Sequence, residues 1–107
     1  MTKTNITTTH SLREGDILNA LWGYDQSNVD FYLVTELVGK TMIKIIQIEA
    51  IKYEDINWGL MAIPNPKKTI GESIRKKANI NNYVRPKDYL YASKWDGKPC
   101  FISEVLR

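Results

Sequence analysis

The amino-acid sequence predicts a mainly β fold: a small single-domain, SH3-like, partly open barrel of roughly five to seven strands. Short apolar runs recur about every 8 to 14 residues with turn-forming residues between them, and no long stretch repeats with the period of a helix. A chain of 107 residues is long enough for one packed core but short for two complete sheets. We expect residues 1–11, which are polar and rich in threonine, to form a flexible tail, and residues 12–107 to form the domain.

The first part of the chain predicts three strands. Gly15 and Asp16 are turn formers that lead into a strand at residues 17–22, and a polar loop separates it from a second strand at residues 30–38. Residues 41–51 are dense in isoleucine, whose β-branched side chain favours a third strand.

The middle of the chain is less regular. The pattern of residues 53–59 is ambiguous. The apolar run at 60–63 is followed by Pro64 and Pro66, whose missing N–H groups exclude a central strand or helix there. Residues 69–77 predict a strand with a basic outer face or, less favourably, one capped helical turn.

The last part of the chain predicts a loop followed by a hairpin. Residues 79–82 and 85–88 are mostly polar and the second stretch contains a proline, which is typical of a loop. Residues 89–95 and 100–106 are apolar runs that flank Asp96 and Gly97, a pair typical of tight hairpin turns. We therefore expect these two runs to pair with each other.

Composition and charge narrow the class of protein. The net charge is only +3, but residues 1–60 carry five Lys/Arg against eight Asp/Glu and residues 61–107 carry ten against four. This asymmetry favours a basic surface for an anionic partner, although lysines also commonly solvate exposed strand edges. One cysteine offers no intrachain disulfide and no apolar run approaches the roughly 20 residues that span a bilayer, so we expect a cytoplasmic protein without a membrane segment.

Candidate catalytic groups are few, and we expect no enzymatic activity, cofactor or metal. The lone histidine, His10, falls in the predicted tail as a solvated residue, and Cys100 enters an apolar run where a free cysteine usually behaves as a small buried hydrophobe. Asp16, Asp25 and Asp30 match no calcium-loop spacing, and Asp25 and Asn28 are equally suited to turn hydrogen bonds, which is the favoured interpretation. The sequence also lacks a glycine-rich phosphate loop and a paired Cys-x-x-Cys.

Basic and aromatic residues are concentrated in the second part of the chain. Cations neutralise phosphates and aromatic rings stack on unpaired bases, so the combination favours a nucleic-acid-binding surface. The alternative is that most of these aromatic residues belong to the core. The basic candidates for partner binding are Lys67, Lys68, Arg75, Lys76, Lys77, Arg85 and Lys87, and the aromatic residues among them are Tyr83, Tyr89, Tyr91 and Trp95.

Three segments carry a resemblance to a known family: WGYDQSNVDFY at residues 22–32, GESIRK at 71–76 and YASKWDGKP at 91–99. Through them most of residues 12–100 resembles a family of small proteins carried by phages, plasmids and other mobile elements. Such proteins often block host defence machinery, anti-CRISPR proteins being one class. The resemblance therefore implies a stoichiometric inhibitor of a host defence nucleoprotein complex, such as a Cas nuclease with its guide RNA, and it carries over no catalytic residue.

The first of these segments has two interpretations. In the structural one, Trp22 and Phe31 anchor the base of a polar loop in the core. In the functional one, Tyr24, Gln26 and Asn28 face outward as a recognition tip, because loops on rigid β scaffolds are common binding sites.

The sequence is compatible with two functions. The first is the inhibitor, which, being basic, would not mimic DNA but would grip a nuclease, its guide RNA or its bound DNA. The second is a nucleic-acid-binding accessory module that uses the basic, aromatic-rich second part of the chain.

Overall fold

The computed structural model describes residues 10–23, 28–57 and 59–102, which form one seven-stranded antiparallel sheet that does not close on itself. The strands are β1 (Ile17–Trp22), β2 (Asn28–Val38), β3 (Met42–Asp55), β4 (Gly59–Lys77), β5 (Val84–Lys87), β6 (Leu90–Lys94) and β7 (Cys100–Phe101). Their order across the sheet is β5-β6-β1-β2-β3-β4-β7. The predicted mainly β, partly open fold is confirmed. In the described ranges no helix is long and apolar enough to cross a membrane.

The sheet curls until the end of β4 meets the start of β5. Ala78 and Val84 form an isolated antiparallel bridge, and the Asn79 N–H donates to the Tyr83 carbonyl at 3.1 Å. No continuous ladder joins β4 to β5 in the described part of the chain. The two strands therefore leave a seam between them on the surface.

Two apolar cores lie on opposite faces of the sheet, because alternate side chains of β1 and β2 point to opposite sides. The inner core, inside the curl, consists of Leu12, Leu18, Ala20, Tyr32, Val34, Ile43, Ile45, Ala78, Val84, Leu90 and Ala92. The outer core consists of Val29, Phe31, Ile48, Ala62 and Ile102. The Trp95 ring covers Phe31 edge-on, with ring centroids 6.0 Å apart. Residues 29–34 are thus nearly all apolar because both of their faces are covered.

The two prolines were expected to exclude a central strand or helix, and β4 passes through both of them only as an edge. Strand β7 pairs only with Met61 and Ala62, so Pro64 and Pro66 lie where no described strand pairs with the outer side of β4. An unpaired edge is the place in a sheet that tolerates proline. The register also shifts beside them, because Glu49 pairs with Asn65 whereas its neighbour in β3 already pairs with Thr69.

Two predictions for the last part of the chain were wrong. Most of the loop expected at 85–88 belongs to β5, which forms a hairpin with β6 through a turn at Asp88 and Tyr89, whereas residues 79–82 lie outside the strands as expected. The hairpin expected around Gly97 does not form, because β6 pairs with β1 and β5 whereas β7 pairs with β4. Trp95 packs into the outer core, so the chain crosses that face instead of folding back. The strands predicted at 17–22, 30–38, 41–51 and 69–77 are confirmed.

Candidate functional site

The hairpin of β5 and β6 points its aromatic and cationic residues outward. Its small apolar residues, Val84, Pro86, Leu90 and Ala92, are buried. The alternation has the period of two that a strand imposes on its side chains. The exposed aromatic and cationic residues beside and between them, called here the hairpin surface, are Tyr83, Arg85, Lys87, Tyr89 and Tyr91; Asp88 in the turn is also exposed.

Two residues of the hairpin surface hold each other. The Arg85 guanidinium lies over the Tyr91 ring, with Cζ 4.7 Å from the ring centroid, and Arg85 Nη2 donates a hydrogen bond to the Tyr91 hydroxyl. A cation–π contact at an exposed site contributes about 0.5–1 kcal/mol. It also restrains both side chains, so less conformational entropy is lost when a ligand binds to them.

A groove of about 510 Å³ runs beside the seam between β4 and β5. Its described lining residues include three cations and two tyrosines and no acidic side chain: Lys76, Lys77, Asn79, Tyr83, Val84, Arg85 and Tyr91. The groove therefore offers positive charge and flat apolar rings in one place. These are the two requirements for binding the backbone and the bases of a nucleic-acid strand.

A hydrogen-bonded turn places Tyr83 at this groove. The side-chain oxygen of Asn79 accepts from the N–H groups of Asn81 at 2.9 Å and Tyr83 at 3.0 Å. Asn82 has the left-handed φ of 65° that asparagine tolerates, and its side chain donates to the Ser11 hydroxyl at 3.0 Å. The polar residues that predict a plain loop thus build a defined turn.

A smaller cleft of about 130 Å³ lies beside the β5–β6 turn. Its described lining residues are Trp22, Asp30, Lys87, Tyr89 and Leu90. The prediction of Trp22 as a core anchor was wrong, since 42% of this residue is exposed, whereas the prediction for Phe31 is confirmed by its full burial. Trp22 is the last residue of β1, where the curl opens, so its ring lies at the rim.

The structure brings together some of the predicted basic residues and separates others. Lys76, Lys77 and Arg85 line the groove, and Lys87 lines the cleft. Arg75 lies two residues before Lys77 and therefore on the same face of β4. Lys67 and Lys68 line neither depression; they lie at the register shift in β4, and Lys68 Nζ is 3.6 Å from a carboxylate oxygen of Glu49.

The predicted recognition tip is only partly described. Tyr24 and Gln26 lie outside the described residues. Asn28 was expected to face outward, but it is 8% exposed and its side-chain oxygen accepts from the Val29 N–H at 2.9 Å. Trp95 belongs to the outer core and not to the basic surface. Of the three predicted tip residues, the structure thus describes only Asn28, and Asn28 is buried. The exposed aromatic and cationic candidates lie on the hairpin surface instead.

The residues that remain as candidates for catalysis or metal binding are Cys100, Asp16 and His10. Burial, with a smaller effect of Asp96, raises the pKa of the Cys100 thiol, and hydrogen bonds from Trp95 and Asn19 oppose this. Asp16 accepts from the Arg13 N–H at 2.8 Å, as the turn prediction implies. His10, expected to be solvated, is half-buried instead. In the part of the chain that the structure describes, no cluster of three or more His, Cys, Asp or Glu residues is suited to a metal ion.

Comparison of the chain with protein-family models, with curated proteins and with solved structures finds no match. The chemistry of the hairpin surface and its two depressions therefore carries the functional proposal.

Proposed function

We propose that this protein is a non-enzymatic binder of single-stranded nucleic acid and that the hairpin surface is its interface. The observation that carries the proposal is the groove in which Arg85 stacks on Tyr91 beside Tyr83, Lys76 and Lys77. Cations in such a groove track the phosphates, and aromatic rings stack on successive bases.

The exposure of the tyrosines favours a single strand over a duplex. Tyr83, Tyr89 and Tyr91 are 48%, 78% and 58% exposed on a hairpin whose other side is packed into the inner core. Base faces are free to stack on such rings only when the bases are not already stacked in a duplex. Each stacked base contributes about 1–3 kcal/mol to binding.

Fluorescence anisotropy with labelled single-stranded DNA, single-stranded RNA and duplex DNA of equal length tests the proposal. The double variant Arg85→Ala/Tyr91→Ala is the probe. The matched control is Tyr53→Ala, because Tyr53 is also an exposed tyrosine of the sheet but lines neither the groove nor the cleft. We expect the wild-type protein and the control to bind single strands, and the double variant to bind at least about tenfold more weakly. No single-strand binding at low salt, or unchanged binding by the double variant, would contradict the proposal.

A second candidate function is the stoichiometric inhibition of a host defence nucleoprotein complex in the host cytoplasm, as the resemblance to mobile-element proteins implies. The groove favours inhibition through the nucleic acid of that complex, because a cationic groove fits a nucleic-acid strand. The same surface would then grip a guide RNA or a displaced DNA strand of a Cas nuclease complex.

Titration of the protein into a reconstituted Cas nuclease with its guide RNA tests this second function. Inhibition should saturate near one copy per complex and be lost in Arg85→Ala/Tyr91→Ala. Inhibition that survives in this variant would indicate a contact with the nuclease protein elsewhere on the chain.

A further inference from the structure

The cleft beside the β5–β6 turn adds a carboxylate, which the described lining of the groove lacks, to aromatic rings and a cation. Trp22 and Tyr89 present aromatic rings to it, and Asp30 presents a carboxylate. Asp30 is half-buried, and no residue in the described ranges donates a hydrogen bond to its carboxylate or forms an ion pair with it. A half-buried carboxylate without a donor gains free energy when a donor group arrives.

A buried hydroxyl lies next to this cleft. Tyr32 is 3% exposed and its hydroxyl has no hydrogen-bond partner among the described residues. Tyr32 and Asp30 lie two residues apart in β2 and so on the same face. Burial first, then the proximity of Asp30 and Tyr89, raises the pKa of Tyr32 to about 12, so the hydroxyl stays protonated and uncharged at neutral pH. Because the hydroxyl oxygen is enclosed, it does not reach a ligand in the cleft.

These groups select a planar ligand with a hydrogen-bond donor at its edge. Aromatic rings favour a flat partner, and an ionised carboxylate only accepts hydrogen bonds. Cytosine, adenine and guanine carry an exocyclic amino group that donates to a carboxylate. Thymine and uracil have only the ring N3–H on that edge, and the carbonyl oxygens on both sides of it repel a carboxylate. Lys87, at the same cleft, suits the phosphate that accompanies a base.

We infer that this cleft binds one nucleobase of a strand, that the base carries an exocyclic amino group, and that this group donates a hydrogen bond to Asp30. Trp22 and Tyr89 stack on the base. The inference rests on the proposed single-strand binding and adds a base preference to it.

The test compares the affinities of the wild-type protein for oligo(dC) and oligo(dT) of equal length at neutral pH and the same salt concentration. We expect oligo(dC) to bind about tenfold more tightly, the size of effect that one well-formed base contact gives. In Asp30→Asn, the amide offers a donor as well as an acceptor, so the preference should fall to less than about twofold. The matched control is Tyr91→Ala, which should weaken the binding of both oligonucleotides and keep the preference.

A modified oligonucleotide tests the same hydrogen bond without changing the protein. N4,N4-dimethylcytosine keeps the ring but has no exocyclic N–H, so its oligonucleotide should bind no better than oligo(dT). If neither oligo(dC) nor oligo(dT) binds, the proposed function itself fails. If both bind equally, or if the dimethylated oligonucleotide binds as well as oligo(dC), the proposed function stands and the base preference is wrong.

Discussion

The guanidinium of Arg85 on β5 lies over the ring of Tyr91 on β6, with Cζ 4.7 Å from the ring centroid. Both side chains are exposed, so the contact contributes little to the stability of the fold. The contact instead fixes the orientation of both side chains, because it holds a planar cation and a ring together at the edge of a cationic groove. Substitutions at this pair should therefore change binding while the fold stays intact.

The substitution Arg85→Lys separates the effect of the positive charge at this position from the effect of the planar guanidinium group. Lysine keeps the positive charge but loses the planar group that stacks on a ring. We expect the affinity for single-stranded nucleic acid to fall about threefold to tenfold, within the range of a lost cation–π contact, while the melting temperature stays the same. The control is Arg75→Lys, since Arg75 lines neither depression. An unchanged affinity in Arg85→Lys would show that charge alone matters.

The salt dependence of binding should report the number of cations in the interface. Among the described residues, four cations line the groove and the cleft: Lys76, Lys77, Arg85 and Lys87. For a single strand the logarithm of the affinity should then fall with the logarithm of the salt concentration with a slope of about −3, at about −0.7 per phosphate. The variant Lys76→Gln/Lys77→Gln should have a slope of about −1.4. In contrast, Lys67→Gln/Lys68→Gln should keep the wild-type slope. A large change in the slope of this variant would instead place the bound nucleic acid at the register shift in β4.

Two aromatic residues at the ends of one sequence motif should differ in their effect on stability. Phe31 is fully buried and touches Trp95, so Phe31→Ala should lower the free energy of unfolding by about 3–5 kcal/mol. Trp22 is 42% exposed, so Trp22→Ala should cost less, about 1 kcal/mol. Urea denaturation of both variants measures the difference. Equal losses would mean that Trp22 is as much a part of the core as Phe31.

The buried Tyr32 should make the stability depend on pH in the alkaline range. Its pKa is raised from 10.0 to about 12, so above pH 10 the unfolded chain loses this proton more readily than the folded protein does. The stabilisation is complete below pH 10 and is lost as the pH rises towards 12, by about 1.4 kcal/mol per pH unit. Urea denaturation at pH 9 and at about pH 11 measures it. Tyr32→Phe should lack this part of the loss, and an identical decline in both proteins would contradict the assignment.

The strands with clear alternation could be predicted from the sequence, and the pairing of distant strands could not. Residues 17–22 and 30–38 were predicted because apolar residues follow turn chemistry, which is a local signal. The partners of β6 and β7 depend on where Trp95 packs, and this contact with Phe31 joins residues far apart in the sequence. The Asp96-Gly97 pair predicts a local turn, but it does not determine with which strands the flanking segments pair.

The cations of the site were predicted, but their grouping was not. Lys76 and Arg85 share a groove only because the end of β4 meets β5 at the Ala78–Val84 bridge. One local signal was missed: between Tyr83 and Tyr91 the exposed residues alternate with small apolar ones over most of the segment. Pro86 and the neighbouring charges concealed this strand pattern.

Photo-crosslinking tests the location of the interface most directly. A single-stranded oligonucleotide that contains thiouridine at every second position is irradiated on the wild-type protein, and the crosslinked residues are mapped by mass spectrometry. Crosslinks should concentrate on Tyr83, Tyr89 and Tyr91 of the hairpin surface. Crosslinks confined to Tyr53 and Phe101, which are exposed on β3 and β7, would contradict the account.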